Sequence, residues 1–309
     1  MGRMKISGFT IARDAVRFDY PLAESLRSLL PLVDELIVAV GDCDDGTWEL
    51  VQGIGDPRIR AFRTTWDLDR RENVLSDETN KALDRCTGDW AVYLQADEVL
   101  HEHDLPLVRA SLERYQHTRV EGLSFRYLHF YGSYETVQDN PLWFYSRATR
   151  AVRLGAGVRS AGDACGFLVI GPNGSRRLRR ANIAARVFHY GWVRPPRIMA
   201  RKQIHLEGMV DGPSAVADAD EDEVASRIYA GLGHLRSFHQ SHPAVMRDRI
   251  ARCTWSFDPR IDEQPPDWLR LARVYLEWWR GDLGVRIRRE LSTRWRGIVD
   301  RSRGRSRRG

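Results

Sequence analysis

The segment GDWAVYLQADEVL, residues 88–100, joins an uninterrupted apolar run to a polar and acidic turn. An apolar run of this length, preceded by glycine and followed by charge, is typical of a strand buried on both faces of a sheet. We therefore predict a strand over residues 90–94. The run LIVAV at residues 36–40 has the same character and predicts a second buried strand.

Amphipathic stretches alternate with strand patterns on both sides of these two runs. Further strands are predicted at residues 4–12 and 58–65, and helices at residues 21–30, 47–54 and 73–86. Strands and helices in this order build βαβ units with parallel strands. The predicted fold class is therefore α/β, with a Rossmann-like, mostly parallel central sheet flanked by helices.

The pattern changes after a further helix predicted at residues 104–115. The remaining elements are aromatic-rich strands at 120–131 and 142–154 with a turn at 132–141, a short strand or edge at 187–193, a loop at 210–222, and helices at 223–239 and 268–279. The double proline of residues 195–196 marks the switch to helical structure. We predict a ligand-binding domain at 1–200, a helical extension at 201–285 and a basic tail at 286–309.

Positive charge is concentrated in this tail. The whole sequence has a net charge of +6, yet residues 286–309 contain ten arginines and only two acidic residues. The rest of the chain is therefore slightly acidic. This argues against a nucleic-acid enzyme, because such enzymes spread basic charge over the face that binds.

Apolar residues of the basic tail recur at helical spacing. They are Ile287, Leu291, Trp295 and Ile298. A basic amphipathic helix of this kind fits an anionic membrane surface. The alternative is a helix that packs on the body of the protein, followed by a polar tail.

Hydropathy and cysteine spacing indicate the compartment. No segment approaches the roughly 20 apolar residues of a transmembrane helix, and the N-terminus lacks the apolar core of a signal peptide. We therefore expect a cytoplasmic protein, and the basic tail would attach it peripherally to the inner face of a membrane. The four cysteines lie far apart without metal-binding spacing, so we expect free thiols.

Polar residues follow three of the predicted strands, at residues 13–14, 42–45 and 97–98. Ligands bind such sheets beyond the carboxyl ends of the strands. The three turns together predict a site for a metal ion and a phosphorylated ligand, although each turn alone would also suit a loop or a helix cap.

Three motifs in a fixed order carry a family resemblance. The segments LIVAVGDCDDGT, ETNKAL and GDWAVYLQADEVL resemble family 2 glycosyltransferases of the GT-A fold. The similarity is close over the first third of the chain and extends more loosely, through YLHFYGSY and FHYGWVRPP, to about residue 210. It implies transfer of a sugar from a nucleotide-sugar donor to a saccharide or lipid-linked acceptor, with inversion.

The resemblance also assigns a metal site. Asp97 matches the last acid of the family's Asp-x-Asp motif, which holds a divalent cation, Mg²⁺ or Mn²⁺, on the donor diphosphate. Gln95 replaces the first acid of that motif and is expected to hydrogen-bond the ribose. His189 matches a later histidine that completes the metal site. Such an ion would offset the charge that develops on the leaving diphosphate.

Other positions of the family contact the nucleotide. Asp42 lies in the turn that faces the nucleobase, although this turn is one residue shorter than the usual pattern. Thr10, Ala12 and Arg13 end the first strand beside the nucleotide, and Asn80 matches a helix asparagine near the donor.

An inverting transferase needs a general base for the acceptor hydroxyl. By resemblance we predict Asp163, in a turn of small residues, with Glu135 and Asp139 as alternatives. Aromatic residues at 127, 131, 143 and 144 would stack on a sugar or pack in the core. Arginines at 147, 150 and 153 would reach a phosphate or form a solvated strand face.

Two other functions remain open at this stage. Gln95 would suit a catalytically inactive nucleotide- or glycan-binding module, because it removes one metal-binding charge. A nucleotidyltransferase that makes nucleotide-sugars is disfavoured, because no glycine-rich loop with a basic residue follows the first strand.

Overall fold

The computed structural model describes residues 3–138, 144–172, 174–212, 216, 219–229 and 235–258. The strands in this part of the chain are β1 (Ile6–Ala12), β2 (Glu35–Val40), β3 (Ile59–Arg63), β4 (Trp90–Tyr93), β5 (Glu98–Leu100), β6 (Gly122–Tyr131), β7 (Thr136–Gln138), β8 (Arg147–Arg153), β9 (Val158–Ala161), β10 (Gly166–Gly171), β11 (Gly174–Arg177), β12 (Arg180–Trp192) and β13 (Leu235–Ser237). The helices are α1 (Leu22–Leu29), α2 (Thr47–Gln52), α3 (Val74–Leu83), α4 (Leu105–Tyr115), α5 (Pro196–Asp211), α6 (Glu221–Arg227) and α7 (Arg247–Ala251).

Four parallel strands, in the order β3–β2–β1–β4, form the first half of the main sheet. Every residue of β2 and β4 is buried, as the apolar runs predicted. Leu36 and Val38 pack on the face covered by α1, while Ile37 and Ala39 pack on the face covered by α3. Helices thus cover both faces, and the predicted α/β class with a mostly parallel central sheet is confirmed.

The second half of the main sheet contains antiparallel strands. β8 pairs with β4 and β6, while β12 runs parallel to β6 and antiparallel to β5. The prediction of a short strand or edge at residues 187–193 is wrong, because β12 has 13 residues and a neighbour on each side. Its first half, RANIAAR, has no apolar run, and this is why the sequence pattern missed it.

The predicted helix at residues 223–239 is wrong in its second half. α6 ends at Arg227, and residues 235–237 form β13, which pairs with β7. β7 itself lies within the predicted turn at 132–141. Both strands have only three residues, too few for a clear alternation, and they form through pairing with distant parts of the chain.

A separate antiparallel sheet of β9, β10 and β11 was not predicted either. β9 and β11 are rich in arginine and small residues and have no apolar run, whereas β10 contains the four-residue run FLVI at 167–170, which could have marked it as a strand. The position of this sheet between β8 and β12 places the turn of residues 162–165 between β9 and β10.

α5 begins at Pro196, as the double proline predicted, and the predicted domain boundary at residue 200 lies inside this helix. Among the described helices, none has the length and apolarity needed to cross a bilayer. The four cysteines are free thiols, as expected. The predicted helix at 268–279, the basic tail, Asp139 and Trp143 lie outside the described residues.

Candidate active site

The carboxyl ends of β1 and β2 bring Arg13 and Asp42 together. Arg13 Nε donates to the main-chain oxygen of Asp42 at 3.1 Å, and Asp42 Oδ1 accepts from the main-chain nitrogen of Trp66 at 3.1 Å. The Arg13 guanidinium lies 5.5 Å from the centroid of the Trp66 ring. Arg13 Nη1 is buried and has no hydrogen-bond partner among the described residues, so it remains a free donor at this edge.

Glycine at position 41 makes this packing possible. A Cβ atom there would overlap the Trp66 indole, with Cε2 of that ring only 3.0 Å away. Trp66 was not among the predicted site residues. Its position just after β3 could have identified it, because β3 is the next parallel strand and its carboxyl end lies at the same edge.

Asp97 follows β4 and lies among three cationic or titratable groups. Its Oδ1 is 3.8 Å from Nε2 of His189, while its Oδ2 is 3.4 Å from Nζ of Lys202 and 3.9 Å from Nη2 of Arg194. The Asp97 side chain is only 9% exposed. Burial raises the pKa of Asp97, but Lys202, His189 and Arg194 together outweigh burial and lower this pKa to about 2.

Strand pairing between β5 and β12 explains why Asp97 and His189 meet. Tyr190 donates its main-chain N–H to the oxygen of Asp97 at 2.8 Å, and His189 lies opposite Glu98 in the register. Residue 191 must be glycine, because a Cβ there would overlap the His189 ring and lie 3.0 Å from Asp97 Oδ2. The sequence-based grouping of Asp97 with His189 therefore has a geometric basis.

Arg194 and Lys202 were missed by the sequence analysis. Arg194 is fully buried, donates from Nε to the oxygen of Phe18 at 2.6 Å, and keeps Nη2 without a hydrogen-bond partner among the described residues. Lys202 donates to the oxygen of Gly191 at 3.0 Å. Burial, and then Arg194, lower the pKa of Lys202 to about 7.

A helical stripe in α5 could have identified Lys202. Met199, Lys202 and His205 recur at a spacing of three, and the first two are buried. Such a stripe indicates the helix face that packs on the body of the protein. The lysine on this face therefore points toward the sheet edge rather than toward solvent.

The donor set at Asp97 fits a divalent cation. Carboxylate oxygens and imidazole nitrogens are both ligands of such ions. Two ligands that each lie roughly 2.1 Å from one ion can be up to about 4 Å apart. The 3.8 Å separation between Asp97 Oδ1 and His189 Nε2 is therefore compatible with one shared ion.

A second group of possible metal ligands consists of His101, Glu102 and His103. In this group both ring nitrogens of His101 are already engaged. Nδ1 accepts from the main-chain nitrogen of His103 at 3.2 Å, and Nε2 lies 3.1 Å from the hydroxyl of Ser241. This group is therefore less suited to a metal than the pair at Asp97.

The other predicted nucleotide contacts lie at or near the same edge. Thr10 is fully buried in β1 and its hydroxyl donates to the oxygen of Ile11, while Ala12 ends the strand. Gln95 is partly buried, and its main-chain oxygen accepts from the Ser25 hydroxyl at 3.2 Å. The predicted contacts of these residues with the nucleotide therefore stay predictions.

Asn80 makes two hydrogen bonds to the main chain of Ser160. Its Nδ2 donates to the oxygen at 3.1 Å, and its Oδ1 accepts from the nitrogen at 2.9 Å. Both polar atoms of the Asn80 amide thus link α3 to β9. The predicted contact of Asn80 with the donor stays a prediction.

Asp163, the predicted base, is exposed in the turn between β9 and β10. Its Oδ1 accepts from the main-chain nitrogen of Cys165 at 3.0 Å. The oxygen of Cys165 accepts from Arg150, which also pairs with Glu98 beside Asp97. The alternative base Glu135 is exposed, and its main-chain oxygen accepts from the nitrogen of Phe238.

Arg150 of β8 neither reaches toward a phosphate site nor lies on a solvated strand face, so both predictions for it are wrong. It is fully buried and donates from Nε and Nη2 to the two carboxylate oxygens of Glu98, each at 2.7 Å. Arg147 and Arg153 donate to main-chain oxygens, including those of Ile183 and Val120. These side chains therefore stabilise the fold instead of lining a phosphate site or a solvated face.

One family model matches part of the chain. Residues 21–167 match the model described as Glycosyl transferase family 2, a segment that includes Asn80, Gln95, Asp97 and Asp163. No curated protein sequence matches the chain significantly.

Similar solved structures have low sequence identity to this chain. A mycobacterial protein has 16% identity and a TM-score of 0.42, over 80% of this chain and 89% of that chain. The mannosyltransferase PcManGT from Pyrobaculum calidifontis, in complex with GDP-Man and Mn²⁺, has 12% identity and a TM-score of 0.41, over 74% and 75%. S. aureus TarS 1-349 has 12% identity and a TM-score of 0.38, over 72% and 68%.

Proposed function

We propose that this protein, a glycosyltransferase with a family 2 domain at residues 21–167, moves a sugar from a nucleoside diphosphate to a hydroxyl group of a saccharide or lipid-linked saccharide. The proposed reaction inverts the anomeric centre and uses a divalent cation. The observation that carries this proposal is Asp97, a buried carboxylate at the carboxyl end of β4 with His189, Lys202 and Arg194 around it.

In this proposal Asp97 and His189 hold the cation, each through one atom. Oδ1 of Asp97 and Nε2 of His189 face each other, while Oδ2 of Asp97 faces Lys202. When bound, Mg²⁺ or Mn²⁺ acts as a Lewis acid that offsets the charge developing on the leaving diphosphate. Gln95 supplies no charge, so we expect weak binding of the metal without nucleotide.

Arg194 and Lys202 are proposed to contact the diphosphate directly. Arg194 Nη2 is a buried donor without a hydrogen-bond partner among the described residues, and Lys202 Nζ lies beside it at the Asp97 carboxylate. A buried guanidinium binds phosphate oxygens strongly because its donors form a rigid fork. These two groups would remain at the leaving group whether or not a metal is bound.

The nucleoside is proposed to lie over the ends of β1 and β2. Arg13 Nη1 and the half-exposed Asp42 carboxylate offer a donor and an acceptor for the base. Gln95 would hydrogen-bond the ribose, and the main chain at Thr10 and Ala12 would border the nucleotide.

Asp163 is proposed as the base that accepts the proton of the acceptor hydroxyl. Its exposure suits an acceptor that enters from solvent, and Arg150 ties its turn to Glu98 beside Asp97. Glu135 and Asp139 remain alternatives. The basic segment 286–309 would attach the protein to an anionic membrane, which sedimentation of a truncated chain with anionic liposomes would test.

Calorimetric titration of UDP and GDP, each with and without Mn²⁺, tests whether the proposed reaction depends on a metal. We expect positive coupling, in which metal and nucleotide raise each other's affinity by the same factor. Asp97→Asn should abolish this coupling, because it removes the charge but preserves the shape. Asp56→Asn is the control, since Asp56 precedes β3 at the opposite edge of the sheet and pairs with Arg58.

Two outcomes would contradict the proposal. Equal nucleotide affinity with and without Mn²⁺ in the unmutated protein would remove the metal from the mechanism. Nucleotide binding without acceptor-dependent release of a nucleoside diphosphate, over a screen of acceptors, would favour a binding module.

A further inference from the structure

A second histidine lies directly behind the proposed metal ligand. His129 of β6 and His189 of β12 are register partners on neighbouring parallel strands, and their ring centroids are 4.9 Å apart. Their Nδ1 atoms lie 3.1 Å from each other. At this distance one nitrogen must donate a proton and the other must accept it.

The other nitrogen of His129 decides which ring is the donor. Nε2 of His129 lies 2.8 Å from the main-chain oxygen of Tyr145. A carbonyl oxygen only accepts, so the proton of a neutral His129 lies on Nε2 and its Nδ1 carries a lone pair. His189 must then donate from its own Nδ1.

His129 lies in buried, aromatic surroundings. It is only 4% exposed, and the rings of Tyr127 and Tyr145 lie 5.2 and 5.0 Å from its centroid. The Tyr145 carbonyl thus sets the direction of the hydrogen bond between the two histidines.

The hydrogen bond fixes what His189 presents to Asp97. With its proton on Nδ1, a neutral His189 directs the lone pair of Nε2 toward Asp97 Oδ1, 3.8 Å away. Two electron-pair donors that face each other repel unless a cation lies between them. In the other tautomer, Nε2–H would instead point at the carboxylate and occupy its coordinating oxygen.

We propose that His129 is a positioning residue, which keeps the Nε2 lone pair of His189 directed at the divalent cation by accepting the proton of His189 Nδ1. This inference rests on the proposed function, because it presumes that Asp97 and His189 hold a metal. Groups that orient a metal-binding histidine in this way typically change metal affinity about 10- to 100-fold when they are removed.

Three variants separate orientation from general packing. His129→Phe keeps a planar ring but removes both hydrogen bonds. His129→Asn keeps an oxygen that can accept from His189 at about the place of Nδ1. His242→Phe is the matched control, because both ring nitrogens of His242 are also engaged, Nε2 with the main-chain oxygen of Tyr134 at 2.9 Å and Nδ1 with the Tyr190 hydroxyl at 2.8 Å, without contacting His189.

The primary measurement is Mn²⁺ affinity in the presence of saturating nucleoside diphosphate, by the electron paramagnetic resonance signal of free Mn²⁺. We expect His129→Phe to weaken Mn²⁺ binding about 10- to 100-fold. His129→Asn should retain most of the affinity, and His242→Phe should leave it unchanged. Nucleotide affinity without metal should be the same in all four proteins.

The second measurement reports the tautomer in the unmutated protein. Nitrogen-15 NMR of histidine-labelled protein without metal should show a protonated Nδ1 and an unprotonated Nε2 for His189. A protonated Nε2 on a neutral His189 would overturn the inference, even if His129→Phe did not fold. Unchanged Mn²⁺ affinity in a folded His129→Phe would overturn it as well. Failure of the unmutated protein to bind Mn²⁺ with nucleotide would instead overturn the metal-dependent function.

Discussion

Arg150 and Glu98 form an ion pair from which water is excluded. Both side chains are 0% exposed, and two hydrogen bonds of 2.7 Å join them. Tyr127 adds a third bond, from its hydroxyl to Glu98 Oε1 at 2.7 Å. Because Asp97 immediately precedes Glu98, this pair fixes the main chain on which the proposed metal ligand lies.

Removing one partner of this pair should destabilise the protein. We predict that Arg150→Met lowers the free energy of unfolding by about 3–5 kcal/mol, because the Glu98 carboxylate stays buried without its cation. Urea denaturation at neutral pH measures this change. A variant that combines Arg150→Met with Glu98→Gln should recover part of the lost free energy of unfolding.

A pair with an exposed arginine supplies the comparison for Arg150. Arg60 bonds Glu35 at 3.0 Å, but its side chain is 61% exposed. Arg60→Met should therefore cost no more than about 1 kcal/mol. Equal effects of Arg150→Met and Arg60→Met would show that the fully buried pair contributes no more than a pair whose arginine is exposed.

At the scale of elements, Asn80 connects two parts of the fold that are 80 residues apart in the sequence. Its amide joins α3, which packs on the parallel half of the main sheet, to β9 of the small sheet. The turn after β9 carries Asp163. The link therefore holds the proposed base in place relative to the sheet edge.

We predict that Asn80→Ala destabilises the protein by about 1–3 kcal/mol, because the buried main-chain groups of Ser160 lose both partners. It should also lower kcat while it leaves nucleotide affinity intact. Thermal unfolding and donor titration check the two parts. Loss of nucleotide affinity with unchanged stability would show instead that Asn80 contacts the donor.

The exposed Asn182 of β12 offers a control for this substitution. Asn182→Ala should change the free energy of unfolding by no more than about 0.5 kcal/mol, as is usual for surface positions.

At the scale of the whole molecule, stability should fall on acidification in two separate ranges. Burial lowers the pKa of His242 to about 4 from an ordinary value of 6.5. Glu35 has a pKa of about 2, because hydrogen bonds from Ser7 and Thr87 outweigh its burial. In both cases the unfolded chain binds the proton more readily, so acid favours unfolding.

The two ranges can be separated by substitution. His242 should contribute a loss of stability between pH 6.5 and about 4, and Glu35 a loss between pH 4.5 and about 2. We predict that His242→Phe makes the urea midpoint less dependent on pH only in the upper range. Glu35→Gln should do the same only in the lower range. Measurements in the presence of a chelator exclude metal effects. If the urea midpoint of either variant still changed with pH as in the unmutated protein, the range assigned to that residue would be wrong.

The sequence alone determined the α/β class, the parallel strands and the position of Asp97. Continuous apolar runs such as residues 36–40 form strands buried on both faces, because no other position satisfies their side chains. A carboxylate directly after such a strand must lie at the edge where parallel strands end. These inferences need only local pattern and the rules of parallel sheets.

Only the tertiary structure decided what surrounds that carboxylate. His189 reaches Asp97 because β12 pairs with β5, and Lys202 reaches it because α5 packs back on the same edge. These contacts join residues about a hundred positions apart, so no local pattern records them, and only the family resemblance grouped His189 with Asp97. For the same reason the burial of Arg150 and the contact of His129 with His189 became visible only in the folded chain, where pairing and packing bring distant charges together.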